Sequence, residues 1–63
     1  MTWYSIHLTD SDGYTIRETR DFDTNKRKAI AWAKDMLSDP EYKDAHRVEV
    51  LDDENECVWD DEN

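Results

Sequence analysis

Val48-Glu-Val-Leu-Asp-Asp-Glu-Asn-Glu-Cys-Val-Trp-Asp-Asp-Glu-Asn63 decides how this chain is read. Val48 and Val50 alternate with other residues, and Val58 and Trp59 follow a polar break. β-branched and aromatic residues at such spacing mark strands, over 46–51 and 56–60. Between them Asp53-Glu54-Asn55 forms a three-residue loop, with Asn55 as the left-handed residue that such a loop needs. That register pairs Val50 with Val58 toward a helix and turns Leu51, Cys57 and Trp59 to the other face. A four-residue loop would instead pair Val50 with Cys57 and Val48 with Trp59; the first register is preferred. Residues 60–63 read as a frayed tail. The same stretch concentrates charge: Glu49, Asp52, Asp53, Glu54, Glu56, Asp60, Asp61 and Glu62 are acidic, and no Lys or Arg follows Arg47.

At the other end of the chain, residues 2–9 alternate with Tyr4, Ile6 and Leu8 on one face, and residues 14–20 form the partner strand. A two-residue Asp12-Gly13 turn would set Leu8 against Arg17. A three-residue loop, Ser11-Asp12-Gly13, sets Asp10 against Tyr14 and Leu8 against Ile16, with Gly13 left-handed. It also brings Ile6 near Glu18 and Tyr4 near Arg20. The apolar alignment selects the second choice. Phe22 is expected to anchor the exit from this hairpin. A helix over 24–38, capped by Asp23 or Thr24, has the apolar positions Ala29, Ile30, Ala33, Met36 and Leu37, with Trp32 on the flank, and Ile30, Ala33 and Leu37 keep the spacing of one face. Its first turn carries Lys26, Arg27 and Lys28, against the preference of the helix dipole. Asp39 and Pro40 suit the start of a short helical turn over 40–44, with Tyr42 packing down.

Hairpin, helix, hairpin predicts an α+β fold: a ββαββ chain with a four-stranded, mainly antiparallel sheet and one helix on one face. The layout resembles that of the small immunoglobulin-binding domains of bacterial surface proteins, a likeness of architecture that carries no function. Residues 1–63 make a single domain. A chain this short buries only about 60% of its unfolded surface. Apart from the two similar turns, nothing marks an internal repeat.

Seventeen acids oppose eight bases, a formal net charge of −9. Such a surface repels nucleic acid and anionic lipid and attracts basic partners. The charge is not interspersed, since residues 35–63 hold twelve acids and two bases. No apolar stretch is long enough to span a bilayer, and the N-terminus lacks the basic and apolar regions of a signal peptide. One cysteine, Cys57, excludes an internal disulfide and fits a reducing, cytoplasmic setting. With only His7 and His46 beside it, it does not build a zinc site unless carboxylates or a second chain complete it. Asp10-x-Asp12-Gly13 has part of a calcium-loop pattern, but the first ligand position would fall on Leu8, so a hairpin turn is the better reading. No nucleophile motif or phosphate loop accompanies the histidines. The expectation is a protein with no catalytic residues, cofactor or metal.

Trp3, Trp59 and Leu51 are expected on the sheet face away from the helix. They form either a partner-binding patch, the alternative function being an interaction module centred there, or rings lying flat over their own sheet. The acids are the other constellation. Side chains on one face of a strand lie about 6.8 Å apart, and carboxylates at such spacings imitate the charge of a nucleic-acid backbone.

A tiny acidic α+β chain with these features resembles the phage-encoded DNA-mimic inhibitors, in particular small anti-CRISPR proteins against type I, Cascade-type systems. Ser38-Asp-Pro-Glu-Tyr-Lys-Asp-Ala-His-Arg-Val-Glu-Val50 and Cys57-Val-Trp-Asp60 are also similar to stretches of small phage proteins. The resemblance implies inhibition by occupying a DNA-binding site, with the PAM-reading site a candidate. The implied partner is a basic DNA-binding surface of a bacterial complex, with no direct contact to nucleic acid or membrane. The chain would act in the cytoplasm of the host cell as a monomer or weak dimer. The expected contact residues are Asp39, Glu41, Asp44, Asp52, Asp53, Glu54, Glu56, Asp60, Asp61 and Glu62. Lys26, Arg27 and Lys28 depart from a uniformly acidic surface.

Overall fold

Ile6, Leu8, Val48 and Val50 each occupy every second position of a strand, and all four are fully buried. They meet because β1 (Tyr4–Thr9) and β3 (Arg47–Leu51) pair antiparallel, Ile6 against Val50 and Leu8 against Val48. Burying side chains of this size stabilises a fold by about 1.5–3 kcal/mol each. β2 (Thr15–Asp21) and β4 (Cys57–Glu62) flank this pair in the order β2-β1-β3-β4, and every pairing is antiparallel. One helix, α1 (Lys26–Ser38), covers one face of the sheet and completes the expected α+β arrangement. The computed structural model describes residues 3–21 and 25–62. The roles expected of Thr2 and Phe22 lie outside these residues, as does Asn63.

The helix meets the sheet through Ala29, Ala33, Met36 and Leu37. Their spacing of four, three and one residues is a single helical stripe. Of the five apolar positions expected on the helix, these four are buried and Ile30 is only half-buried. The two alanines let the helix backbone lie close to the valines of β3. The helix starts at Lys26 rather than residue 24, and its cap is Asn25, not Asp23 or Thr24. The Asn25 backbone is extended, and its side-chain oxygen accepts the Lys28 N–H at 2.9 Å. At the other end the Asp39 N–H donates to the Met36 carbonyl. The Asp39 carboxylate then caps a single 3-10 turn, Pro40–Tyr42, by accepting the Glu41 N–H at 2.9 Å. Tyr42 packs down on the core, as expected, and Ala45 is buried behind it.

Both hairpin loops have three residues, with Gly13 (φ 87°) and Asn55 (φ 66°) left-handed as the sequence implies. Beyond the loops both expected registers fail, for the same reason. Asp10 does face Tyr14, but Leu8 pairs with Arg17 and Ile16 is left without a partner. Ile6 therefore meets Thr19 rather than Glu18, and Tyr4 meets Asp21 rather than Arg20. In the second hairpin Leu51 pairs with Cys57, but Val50 meets Trp59, and Val58 is unpaired. These are β-bulges. An extra residue in one strand turns every later side chain to the opposite face. Trp59 is thereby on the helix side, packed against the core, with the Lys34 ammonium 5.7 Å from its ring centre. The expected placement of Trp59 on the open face is corrected. So is the frayed tail: Asp60, Asp61 and Glu62 are the second half of β4, paired with Glu49, Val48 and Arg47.

The two hairpins correspond position by position. Asp10 and Asp52, Gly13 and Asn55, and the bulged Ile16 and Val58 each lie 42 residues apart. The central pair, His7 with Glu49, is separated by the same interval. An approximate two-fold axis therefore passes through that pair.

Candidate functional site

The second hairpin carries the acidic groups, and its turn is fixed by one of them. Asp52 Oδ1 accepts the backbone N–H groups of Glu54 and Glu56, both at 2.9 Å. The Asp52 N–H donates to the Glu56 carbonyl, and the Asn55 N–H to the Asp52 carbonyl. This small network holds residues 52–56 in one conformation at the end of the sheet. Carboxylate oxygens of Asp52, Glu54 and Glu56 all lie within 4.8 Å of one another. Like charges at that spacing repel, so the turn pays electrostatically for its composition while the backbone bonds keep it closed.

Along β4 the pattern changes. Asp60 and Glu62 stand on the open face with Glu49 of β3, and Arg47 lies among them. Arg47 Nε donates to Glu49 Oε1 at 3.2 Å, Nη1 to Glu62 Oε1 at 3.2 Å, and Nη2 to Asp60 Oδ2. Desolvation opposes the guanidinium charge, but the carboxylates of Glu49, Asp60 and Glu62 outweigh it and raise the Arg47 pKa above its ordinary value. His46 approaches Glu62 at 3.8 Å. Asp61 is on the other side of the strand, opposite the buried Val48, and its Oδ1 accepts the Glu62 N–H.

The ten expected contact residues thus fall into two groups, in an order the sequence reading did not anticipate. Asp52, Asp53, Glu54 and Glu56 form the tip of the hairpin. Asp60, Asp61 and Glu62 run back toward its base, because β4 is antiparallel to β3 and Glu62 ends opposite Arg47. Asp39, Glu41 and Asp44 belong to the connection that enters β3 at that same base. From Arg47 at the base to Asp52 at the tip there are five residue steps, about 17 Å at 3.4 Å per residue. Six of the ten, Glu41, Asp44, Asp53, Glu54, Glu56 and Asp61, are exposed and have no salt bridge among the described residues. Asp39 and Asp52 are engaged by backbone amides, and Asp60 and Glu62 by Arg47.

The open face is more balanced than the tip. Glu18 lies 3.6 Å from His7 and 4.0 Å from Arg20, whose guanidinium sits 4.5 Å above the Trp3 ring. Of the apolar trio expected there, Trp59 is on the helix side, Trp3 is covered by Arg20, and Leu51 is half-buried. The Arg47 cluster escaped the sequence reading because an unbulged register would place Asp61, not Glu62, opposite Arg47. Its signal is Arg47 itself, the single base among the eight acids of residues 47–62.

Asp10 has the same task as Asp52. Its Oδ1 accepts the N–H groups of Asp12 and Tyr14, which accounts for the Asp-x-Asp-Gly pattern as a turn. Among the described residues no cavity opens between sheet and helix, and no helix is long and apolar enough to cross a membrane. Cys57 is exposed and its thiol is free. No protein-family model, curated protein or solved structure matches the chain.

Proposed function

We propose that the protein is a non-enzymatic inhibitor that mimics DNA and occupies the basic DNA-binding site of a bacterial complex. A CRISPR effector, and its PAM-reading site in particular, is the target that the resemblance names, and the host cytoplasm is where it would act. The observation that carries this reading is the locked acidic tip. A disordered tail loses backbone entropy when it binds; the backbone of residues 52–56 is already held by the Asp52 network. The second acidic group begins at the base, about 17 Å away, a length comparable with five base pairs at 3.4 Å each. Two fixed clusters at that separation suit a groove lined by Lys and Arg that normally tracks a phosphate backbone.

Competition measures this directly. The protein is expected to displace duplex DNA from a purified type I effector complex, and its binding should weaken steeply between 50 and 300 mM salt. Reversing Asp52, Asp53, Glu54 and Glu56 together to lysine removes the fixed tip and should abolish displacement. Because Asp52 also holds the turn, Asp53→Lys with Glu54→Lys is the companion variant. It leaves the network in place and should weaken binding at least tenfold. Undiminished displacement by both variants would refute the reading.

A further inference from the structure

The sheet has two open edges, β2 and β4. An open edge offers unpaired backbone groups to another strand. The two edges are charged very differently. β4 ends in three consecutive acids, Asp60, Asp61 and Glu62, and two such strands brought together would repel. β2 contains Arg17-Glu18-Thr19-Arg20-Asp21, which has no net charge. Its residues Thr15, Ile16, Arg17, Glu18 and Arg20 are exposed, and Thr19 is half-buried.

We propose that β2 pairs antiparallel with β2 of a second copy of this chain, about a two-fold axis at Thr19. The charge order of the strand is plus, minus, neutral, plus, minus. Run against itself with Thr19 opposite Thr19, it sets Glu18 opposite Arg20 and Arg17 opposite Asp21, each pair occurring twice. Opposite charges at facing strand positions stabilise a sheet, and like charges destabilise it. Moving the register by one or two residues in either direction sets at least one like pair in contact: Arg17 with Arg20, Glu18 with Glu18, Glu18 with Asp21, or Arg20 with Arg20. The strand therefore specifies one alignment with itself.

The local structure favours this pairing. The ladder from Arg17 to Asp21 is regular, since the bulge at Ile16 lies before it. Glu18 and Arg20 stand on the open face, where the Trp3 ring and His7 hold their charged ends. The net charge of −9 per chain opposes association in general. In this arrangement, however, the two β4 strands are the outermost of eight. Seven spacings of about 4.8 Å separate them by about 34 Å, more than four Debye lengths at physiological salt. The acidic hairpins are screened from each other while the charges at the seam are adjacent. An isologous contact of this kind closes as a dimer rather than growing into a filament.

Sedimentation equilibrium of the unmodified chain from micromolar to millimolar concentration tests the association itself; a monomer throughout overturns the proposal. Arg20→Glu should weaken the dimer at least tenfold, and Glu18→Arg combined with Arg20→Glu should restore it, because the exchanged pair is again self-complementary. Failure of the double variant to associate overturns the charge register. In a Cys57→Ser background, Thr19→Cys should form an intermolecular disulfide under mild oxidation, since facing Cα atoms lie about 4.5–5.5 Å apart. Arg17→Cys should not, because its copies would be four residues out of step. Equal cross-linking of the two, or of neither, overturns the alignment.

Discussion

At the tip of the first hairpin Asp10 accepts the amides of Asp12 and Tyr14; at the tip of the second Asp52 accepts those of Glu54 and Glu56. Each loop closes on a left-handed third residue, and each is followed by a bulge after one further pair. The charge differs sharply. Residues 4–21 carry four acids and two bases; residues 47–62 carry eight acids and one base. The turn therefore depends on one capping aspartate and one tolerant backbone position, and not on the charges around them. That independence is what leaves the second hairpin free to accumulate carboxylates without losing its shape.

The strongest test of the correspondence lies in the core, where the hairpins meet. Leu8 and Val50 are equivalent positions, both fully buried. Leu8→Ala is expected to cost about 3 kcal/mol, a fall in Tm of roughly 15 °C for a domain of this size. Val50→Ala, which removes fewer atoms, should cost less. In both, circular dichroism and tryptophan fluorescence should report one transition; separate melting of the two hairpins would break the comparison. Next comes the left-handed position. Gly13→Ala places a side chain at φ 87° and should cost about 1–2 kcal/mol. Asn55→Gly, the reverse exchange of tolerance, should be neutral or slightly stabilising by urea denaturation.

A smaller effect separates the two tips. Asp10→Ala loses two hydrogen bonds to a carboxylate and should cost about 1 kcal/mol. Asp52→Ala loses the same two bonds but also removes one of three crowded carboxylates. Its cost should be lower, and the gap between the two variants should narrow as salt is added. Equal costs at all salt concentrations would mean that the acidic tip carries no electrostatic strain. The smallest change concerns the helix that joins the hairpins. Lys28 occupies the third position after the Asn25 cap, where an acid is preferred. Lys28→Glu is expected to stabilise by about 0.3–0.5 kcal/mol, a rise in Tm of a few degrees.

Much of this was legible in the chain. Alternation at Tyr4, Ile6 and Leu8 and at Val48 and Val50 marks the central strands, and Gly13 and Asn55 mark the loops. Asp39-Pro40 marks the 3-10 turn. The helix cap was misplaced because Asp23, Thr24 and Asn25 are all competent caps, and nothing local ranks them. The acids of the candidate surface were legible by residue type, but not their arrangement. Along the chain they run from residue 39 through 52–56 to 60–62, whereas β4 turns back and returns its acids to the base of the hairpin.

The class of fold, the two turns and the uneven division of charge follow from the order of residues alone, because each rests on local preference or on composition. Tertiary structure decided the bulges at Ile16 and Val58, and with them the face on which every later residue stands. The physical reason is that strand side chains alternate with a period of two, so one extra residue exchanges the two faces. Local preferences do not register that shift. Packing does: it turns Trp59 onto the core beneath Lys34 and carries Asp60 and Glu62 to Arg47.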